Sequence, residues 1–114
     1  MLAVRPVAVD KHMLEIRPVC ENCSRPLPPH STEAMICSFE STFCAECAIT
    51  LLHNVCPNCG GGFQPRPVRP SRNWKAGNYL GRYPAATAPE LRPVDPRAHQ
   101  AFAEPIISVP PDNR

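Results

Sequence analysis

Residues 20–63, CENCSRPLPPHSTEAMICSFESTFCAECAITLLHNVCPNCGGGF, decide the fold of this chain, because all seven of its cysteines lie there. Three Cys-x-x-Cys pairs stand out: Cys20/Cys23, Cys44/Cys47 and Cys56/Cys59. Cys37 stands alone between the first two. Thiolates three positions apart grip one tetrahedral ion from a single tight turn, and two such turns from separate parts of the chain complete its shell. The segment is 44 residues long. Chains below about 70–80 residues need disulfides, a metal or another staple to fold, because their apolar core is too small.

Compartment decides between the staples. Residues 1–19 form an apolar-polar leader in which Arg5, Asp10, Lys11, Glu15 and Arg17 interrupt any unbroken apolar run, unlike a signal peptide. No transmembrane run occurs, so no membrane association is expected. A reducing cytoplasm follows as the expected location, where closely spaced cysteines are more often metal ligands than bridges, and an odd count of seven disfavours full pairing. The expected cofactor is zinc. With a net charge of +2 over 114 residues, the chain forms one small domain at most.

The spacing is 13 residues from Cys23 to Cys37, six to Cys44 and eight from Cys47 to Cys56. It is similar to the two-zinc cross-brace of RING domains, provided that position 41 is a ligand. The expected fold is therefore a small metal-stabilised α+β unit, RING-like or zinc-ribbon-like, with a short β-hairpin, one short helix and a proline-rich tail. A cross-brace implies one zinc shared by Cys20, Cys23, Cys44 and Cys47, and a second shared by Cys37, position 41, Cys56 and Cys59. A zinc ribbon using the first two pairs would look the same at the first site. Four thiolates make a closed structural shell. The second set has three, because position 41 is Ser41, and a serine hydroxyl is a poor zinc ligand at neutral pH. His53, His30 or a water are the alternatives for its fourth position, and a second site without metal is another.

Between the ligands, Arg25-Pro26-Leu27-Pro28-Pro29-His30-Ser31 reads as an extended loop. Residues 34–39 and 42–44 alternate well enough for a hairpin turning near Glu40-Ser41, with Phe39 and Phe43 flanking the metal core. Ala45, Ala48, Ile49 and Leu52 recur at helical spacing, which predicts a helix over 45–53 with Cys47 in its first turn. Residues 64–114 hold ten of the sixteen prolines and no cysteine, and are expected to form a proline-rich basic tail. Asp95-Pro96 looks like an N-cap followed by proline at the first helical position, which predicts a short helix over 96–103 ended before Pro105, with Phe102 able to dock on the core.

The chain also resembles the bacterial family known as domain of unknown function 1272, short cysteine-rich proteins. The resemblance rests on Met13-Leu14-Glu15, Arg17-Pro18, Cys20-Glu21-Asn22-Cys23, Leu27-Pro28-Pro29, Met35-Ile36-Cys37-Ser38-Phe39-Glu40, Thr42-Phe43-Cys44 and Cys56-Pro57-Asn58-Cys59-Gly60-Gly61-Gly62-Phe63. It runs on through Pro65-Arg66-Pro67 and more loosely to Asn78-Tyr79-Leu80-Gly81. It implies zinc binding and a natural start at Met13. The family pattern carries a cysteine between Glu40 and Thr42, so Ser41 is a departure that leaves the second site short of one thiolate.

No acid/base carboxylate pair, phosphate-binding glycine loop or nucleophile motif stands out, so no enzymatic activity is expected. The RING resemblance suggests ubiquitin-type ligation only weakly, because Asn22 and Gly60 occupy positions where such ligases typically carry an apolar residue and a cation. A binding or adaptor module with a protein partner is the expectation. One alternative is nucleic-acid binding by Arg66, Arg69, Arg72, Lys75 and Arg82 interleaved with Trp74, Tyr79 and Tyr83; the duller reading of that section is a solvated tail whose aromatics pack back on the core. The other alternative is chemistry at an open three-thiolate zinc.

Overall fold

The computed structural model describes residues 13–114. The leader residues 1–12, and with them most of the predicted leader segment, lie outside the described residues. Within 13–114 the fold is a small α+β unit whose centre is a three-stranded antiparallel sheet. Strands β1 (Ala34–Ile36) and β2 (Thr42–Cys44) make the predicted hairpin, with Ala34 opposite Cys44, Met35 opposite Phe43 and Ile36 opposite Thr42. The chain reverses through residues 37–41, where Glu40 adopts a positive φ of 71°. The Glu40 N–H donates to the Cys37 carbonyl and the Cys37 N–H to the Ser41 carbonyl, which closes the turn.

The helix after β2 starts at residues 45–46 and widens into a π-helical segment, α1 (Cys47–Leu51). One side chain bonds to the backbone within this stretch. The Thr50 hydroxyl donates to the Glu46 carbonyl at 2.6 Å, competing for the acceptor that an α-helical turn would offer the Thr50 N–H. The Leu52 N–H then reaches back five residues to Cys47. This winding buries Ala48 and Leu52 but leaves Ile49 61% exposed, so the predicted apolar face is narrower than its spacing implied. Two successive left-handed residues, His53 and Asn54, end the segment.

The third strand was not legible in the sequence. It is β3 (Gln64–Pro65), which pairs with β1 through Met35 opposite Pro65 and Ile36 opposite Gln64. As an edge strand it tolerates a proline. Beyond it the chain returns repeatedly to the core. The Arg66 side chain, 3% exposed, donates from Nη1 to the Arg17 carbonyl and from Nη2 to those of Leu27 and Pro28 at 2.8–3.1 Å. Arg69 similarly reaches the carbonyls of Leu14 and Tyr83.

Helix α2 (Pro96–Ile107) begins where predicted, with the Asp95 carboxylate accepting from the Arg97 and Ala98 N–H groups. It does not stop at residue 103, however, but runs through Pro105 to Ile107. A proline there removes one backbone donor. Packing compensates, because Ala103 is fully buried and Ile106 and Phe102 lie over Gly60, whose missing Cβ would sit 3.5 Å and 3.7 Å from them. The residues of this helix buried most deeply are His99 and Ala103 rather than Phe102, which is 42% exposed. A 3₁₀ turn, Pro111–Asn113, follows.

The core is small and sulfur-rich. Cys20, Cys44 and Cys56 are buried among Leu27, Ala34, Ala48, Leu52 and Phe63. Phe43 and Phe63 meet edge to face at 5.5 Å. Phe39 corrects the other half of the aromatic expectation: it sits on the 37–41 turn, beyond the register of the strands, and is 73% exposed.

Candidate metal centre

The hairpin, the start of α1 and two tight turns gather the cysteines into two groups. In the first, the sulfur atoms of Cys20, Cys23, Cys44 and Cys47 all lie within 4.8 Å of one another; in the second, those of Cys37, Cys56 and Cys59 do. Members of the groups alternate along the chain, first, second, first, second. None of the seven forms a disulfide. Cys23 and Cys44 are 3.8 Å apart at sulfur, nearly twice the length of an S–S bond. That separation is the edge of a tetrahedron of about 3.8 Å that metal–sulfur bonds of about 2.3 Å generate.

Each turn directs backbone N–H groups at its sulfurs. Cys23 N–H donates to Cys20, Cys47 N–H to Cys44, Phe39 N–H to Cys37, Asn58 N–H to Cys56 and Gly61 N–H to Cys59, at 3.3–3.5 Å. Such donors favour thiolate over thiol. Burial and crowding oppose them. Burial, followed by the charge of Cys37 beyond the opposing Asn58 N–H, pushes the Cys56 thiol up to about 12. Cys44 and Cys47 are raised as well, burial first. At Cys37 burial is outweighed by the Ser41 hydroxyl and the Phe39 and Ser41 N–H groups, and its thiol falls below the ordinary range. Cys23 is lowered in the same way, the Arg25 N–H being the largest counterweight to burial. Several negative sulfurs in so small a space need a cation to coexist, so the donor set fits a thiophilic dication. Cys20, Cys23, Cys44 and Cys47 would hold one such ion, and Cys37, Cys56 and Cys59 would supply three sulfurs to a second.

Neither histidine proposed for the fourth position joins the second group. His53 and His30 are both exposed, the former at the left-handed end of α1 and the latter on the proline loop. Ser41 does lie there. It is 6% exposed, its carbonyl accepts the Cys37 N–H at 3.1 Å, and its Oγ accepts from Asn58 Nδ2 at 3.0 Å.

Two functional side chains were missed. Asn22 Nδ2 donates to the Cys47 sulfur at 3.3 Å, while its Oδ1 accepts the Val94 N–H at 2.8 Å. Asn58 makes the corresponding reach to Ser41. The signal was present: both turns read Cys-x-Asn-Cys, as Cys20-Glu21-Asn22-Cys23 and Cys56-Pro57-Asn58-Cys59. Glu21 in the first turn is also buried, accepting Arg17 Nη1 at 2.7 Å and the Thr42 N–H at 2.6 Å.

The basic section is divided. Arg66 and Arg69 are spent on core carbonyls. Arg72 lies 5.8 Å from the centre of the 72% exposed Trp74 ring and Arg82 5.3 Å from that of Tyr83. Tyr79 and Tyr83 are partly covered. Among the described residues no helix is long and apolar enough to cross a membrane.

Comparison with known sequences agrees with these motifs. The family described as "Protein of unknown function (DUF1272)" matches residues 13–69. An uncharacterized protein of Rhizobium meliloti (strain 1021) is 56% identical over 81 residues, which cover 71% of this chain and 89% of that protein. No solved structure matches.

Proposed function

The chain belongs to the DUF1272 family of proteins of unknown function, and from that premise and its two sulfur groups we propose a zinc-stabilised, non-catalytic binding or adaptor module of the cytoplasm. The observation that carries the zinc reading is the first group, four cysteine sulfurs within 4.8 Å of one another and one pair at the tetrahedral edge of 3.8 Å. Four thiolates with backbone N–H donors leave no position for substrate or water, which favours a structural over a catalytic ion. When bound, zinc supplies the folding free energy that so small a core lacks. The alternation of the two groups along the chain supports the RING-like cross-brace over a one-site ribbon.

A binding role is supported by what the metal turns present. Cys37, Cys56 and Cys59 fix the 37–41 turn, and that turn displays Phe39 at 73% exposure. An apolar ring held on a metal-braced turn loses little freedom when a protein partner covers it. Elemental analysis with native mass spectrometry, on protein purified under reducing conditions, tests the zinc reading. One tightly held zinc ion per chain, resistant to dilution, is expected at the first group, with further zinc at the second. A folded protein containing no zinc, and unchanged by added zinc, would overturn it.

A further inference from the structure

The two sulfur groups, of four and three members, share one feature: an Asn-bearing turn that donates across the site. In the first, Asn22, third residue of a Cys-x-Asn-Cys turn, donates across the site to the sulfur of Cys47, a ligand atom from the opposite side. In the second, Asn58 occupies the same place in its turn, and the atom across the site that receives its N–H is Ser41 Oγ. By its outer partner, Ser41 Oγ therefore stands where Cys47 Sγ stands in the first group, each being the later residue of the pair that faces the Asn-bearing turn. It is buried, and the Cys37 N–H donates to the Ser41 carbonyl, which holds the two residues in one turn.

Resting on the metal reading above, we propose that the second group is a three-sulfur, one-oxygen site for a thiophilic dication, with Ser41 Oγ as its oxygen donor and Asn58 as the residue that positions it. A hydroxyl is a weaker donor to a soft ion than a thiolate and carries no charge to neutralise it. The Asn58 N–H offsets part of this difference, because a donor aimed at the hydroxyl oxygen aligns its remaining lone pair and stabilises charge that builds on it. Each group has one exposed sulfur, Cys23 in the first and Cys59 in the second, so what separates the two positions is the weaker oxygen donor. The second ion consequently exchanges ahead of the first. The chain is thus a stably braced domain with one exchangeable metal position rather than two equivalent structural ions.

Cadmium-113 NMR of the full chain loaded with that metal, combined with chelator competition, separates the possibilities. Two resonances are expected, one at a four-sulfur position and one displaced by an oxygen ligand, with the displaced one lost first to chelator. Ser41→Cys is expected to move the second resonance to the four-sulfur region and slow its release at least about tenfold. Ser41→Ala is expected to weaken the second site by about 100-fold and Asn58→Ala by about tenfold, both leaving the first resonance in place. A wild-type second resonance already at the four-sulfur position, or a Ser41→Ala chain that keeps second-site affinity, would overturn the assignment. A single ion at the first group would overturn it while leaving the zinc reading intact, and no bound cadmium would remove both.

Discussion

At the scale of single residues, burial distinguishes cysteines that sequence spacing treats alike. Cys44 is 1% exposed at the end of β2 and belongs to the four-sulfur group; Cys59 is exposed and belongs to the three-sulfur group. Cys44→Ser is therefore expected to abolish cooperative unfolding by circular dichroism, because it opens the closed shell inside the core. Cys59→Ser is expected to lower metal content by one equivalent while a cooperative unfolding transition remains. Protons compete for the same sulfurs. Since Cys44 and Cys47 in the first group and Cys56 in the second hold their protons more tightly than ordinary thiols, metal must displace them at neutral pH. Binding should release at least two protons at the first group and one at the second, measured by calorimetry in buffers of different ionisation enthalpy. The sign follows: affinity, and the stability that depends on it, fall as pH falls. The seven cysteines were legible as ligand candidates from spacing alone. Ser41 was legible only as a departure, because a serine next to a thiol has no sequence signature until the partner that holds it, Asn58, is placed across the site.

At the scale of elements, local signals were read well where they were geometric and poorly where tertiary contact chose the outcome. The β1–β2 hairpin and the Asp95-Pro96 helix start follow from alternation and capping chemistry. Asp95→Ala removes an acceptor for two N–H groups and is expected to cost about 1 kcal/mol, read from chemical denaturation. The far end of α2 was set too early, because a proline reads as a stop, while Ala103 and Ile106 against the Gly60 turn carry the helix past Pro105. Similarly, β3 is two residues long and contains a proline, so no periodicity announces it. Its place depends on β1 and on Arg66 just beyond it.

At the scale of the whole molecule, the proline-rich segment is the clamp of the structure rather than an appendage. Its backbone bonds back to the front of the chain through Ala86 to Ile16 and Arg92 to Glu21. Composition hid this, since prolines and scattered cations describe a solvated tail equally well, and it is a few buried partners that distinguish the two. Arg66 is the clearest case, an internal guanidinium whose burial lowers its pKa and whose donors cap carbonyls of residues 17, 27 and 28. Arg66→Met keeps much of the volume but leaves those carbonyls unpaired, and is expected to cost about 2–4 kcal/mol by denaturant titration. The C-terminal helix depends on the second metal turn in the same manner. His99 Nε2–H donates to the Leu52 carbonyl at 2.9 Å, Arg114 Nη1 donates to the carbonyls of Asn54 and Gly60, and Phe102 and Ile106 lie on Gly60. Three of these four anchor points border or belong to the Cys56–Cys59 turn. Withdrawing the exchangeable ion should loosen that turn and release α2 before the β1–β2 hairpin, whose second strand ends in the four-sulfur group. Hydrogen exchange at graded chelator concentrations should therefore show residues 96–107 losing protection at the first equivalent of metal removed and the strand residues 34–36 and 42–44 only at the second. Simultaneous loss would mean that the two sulfur groups unfold as one unit and that the clamp answers to the whole core.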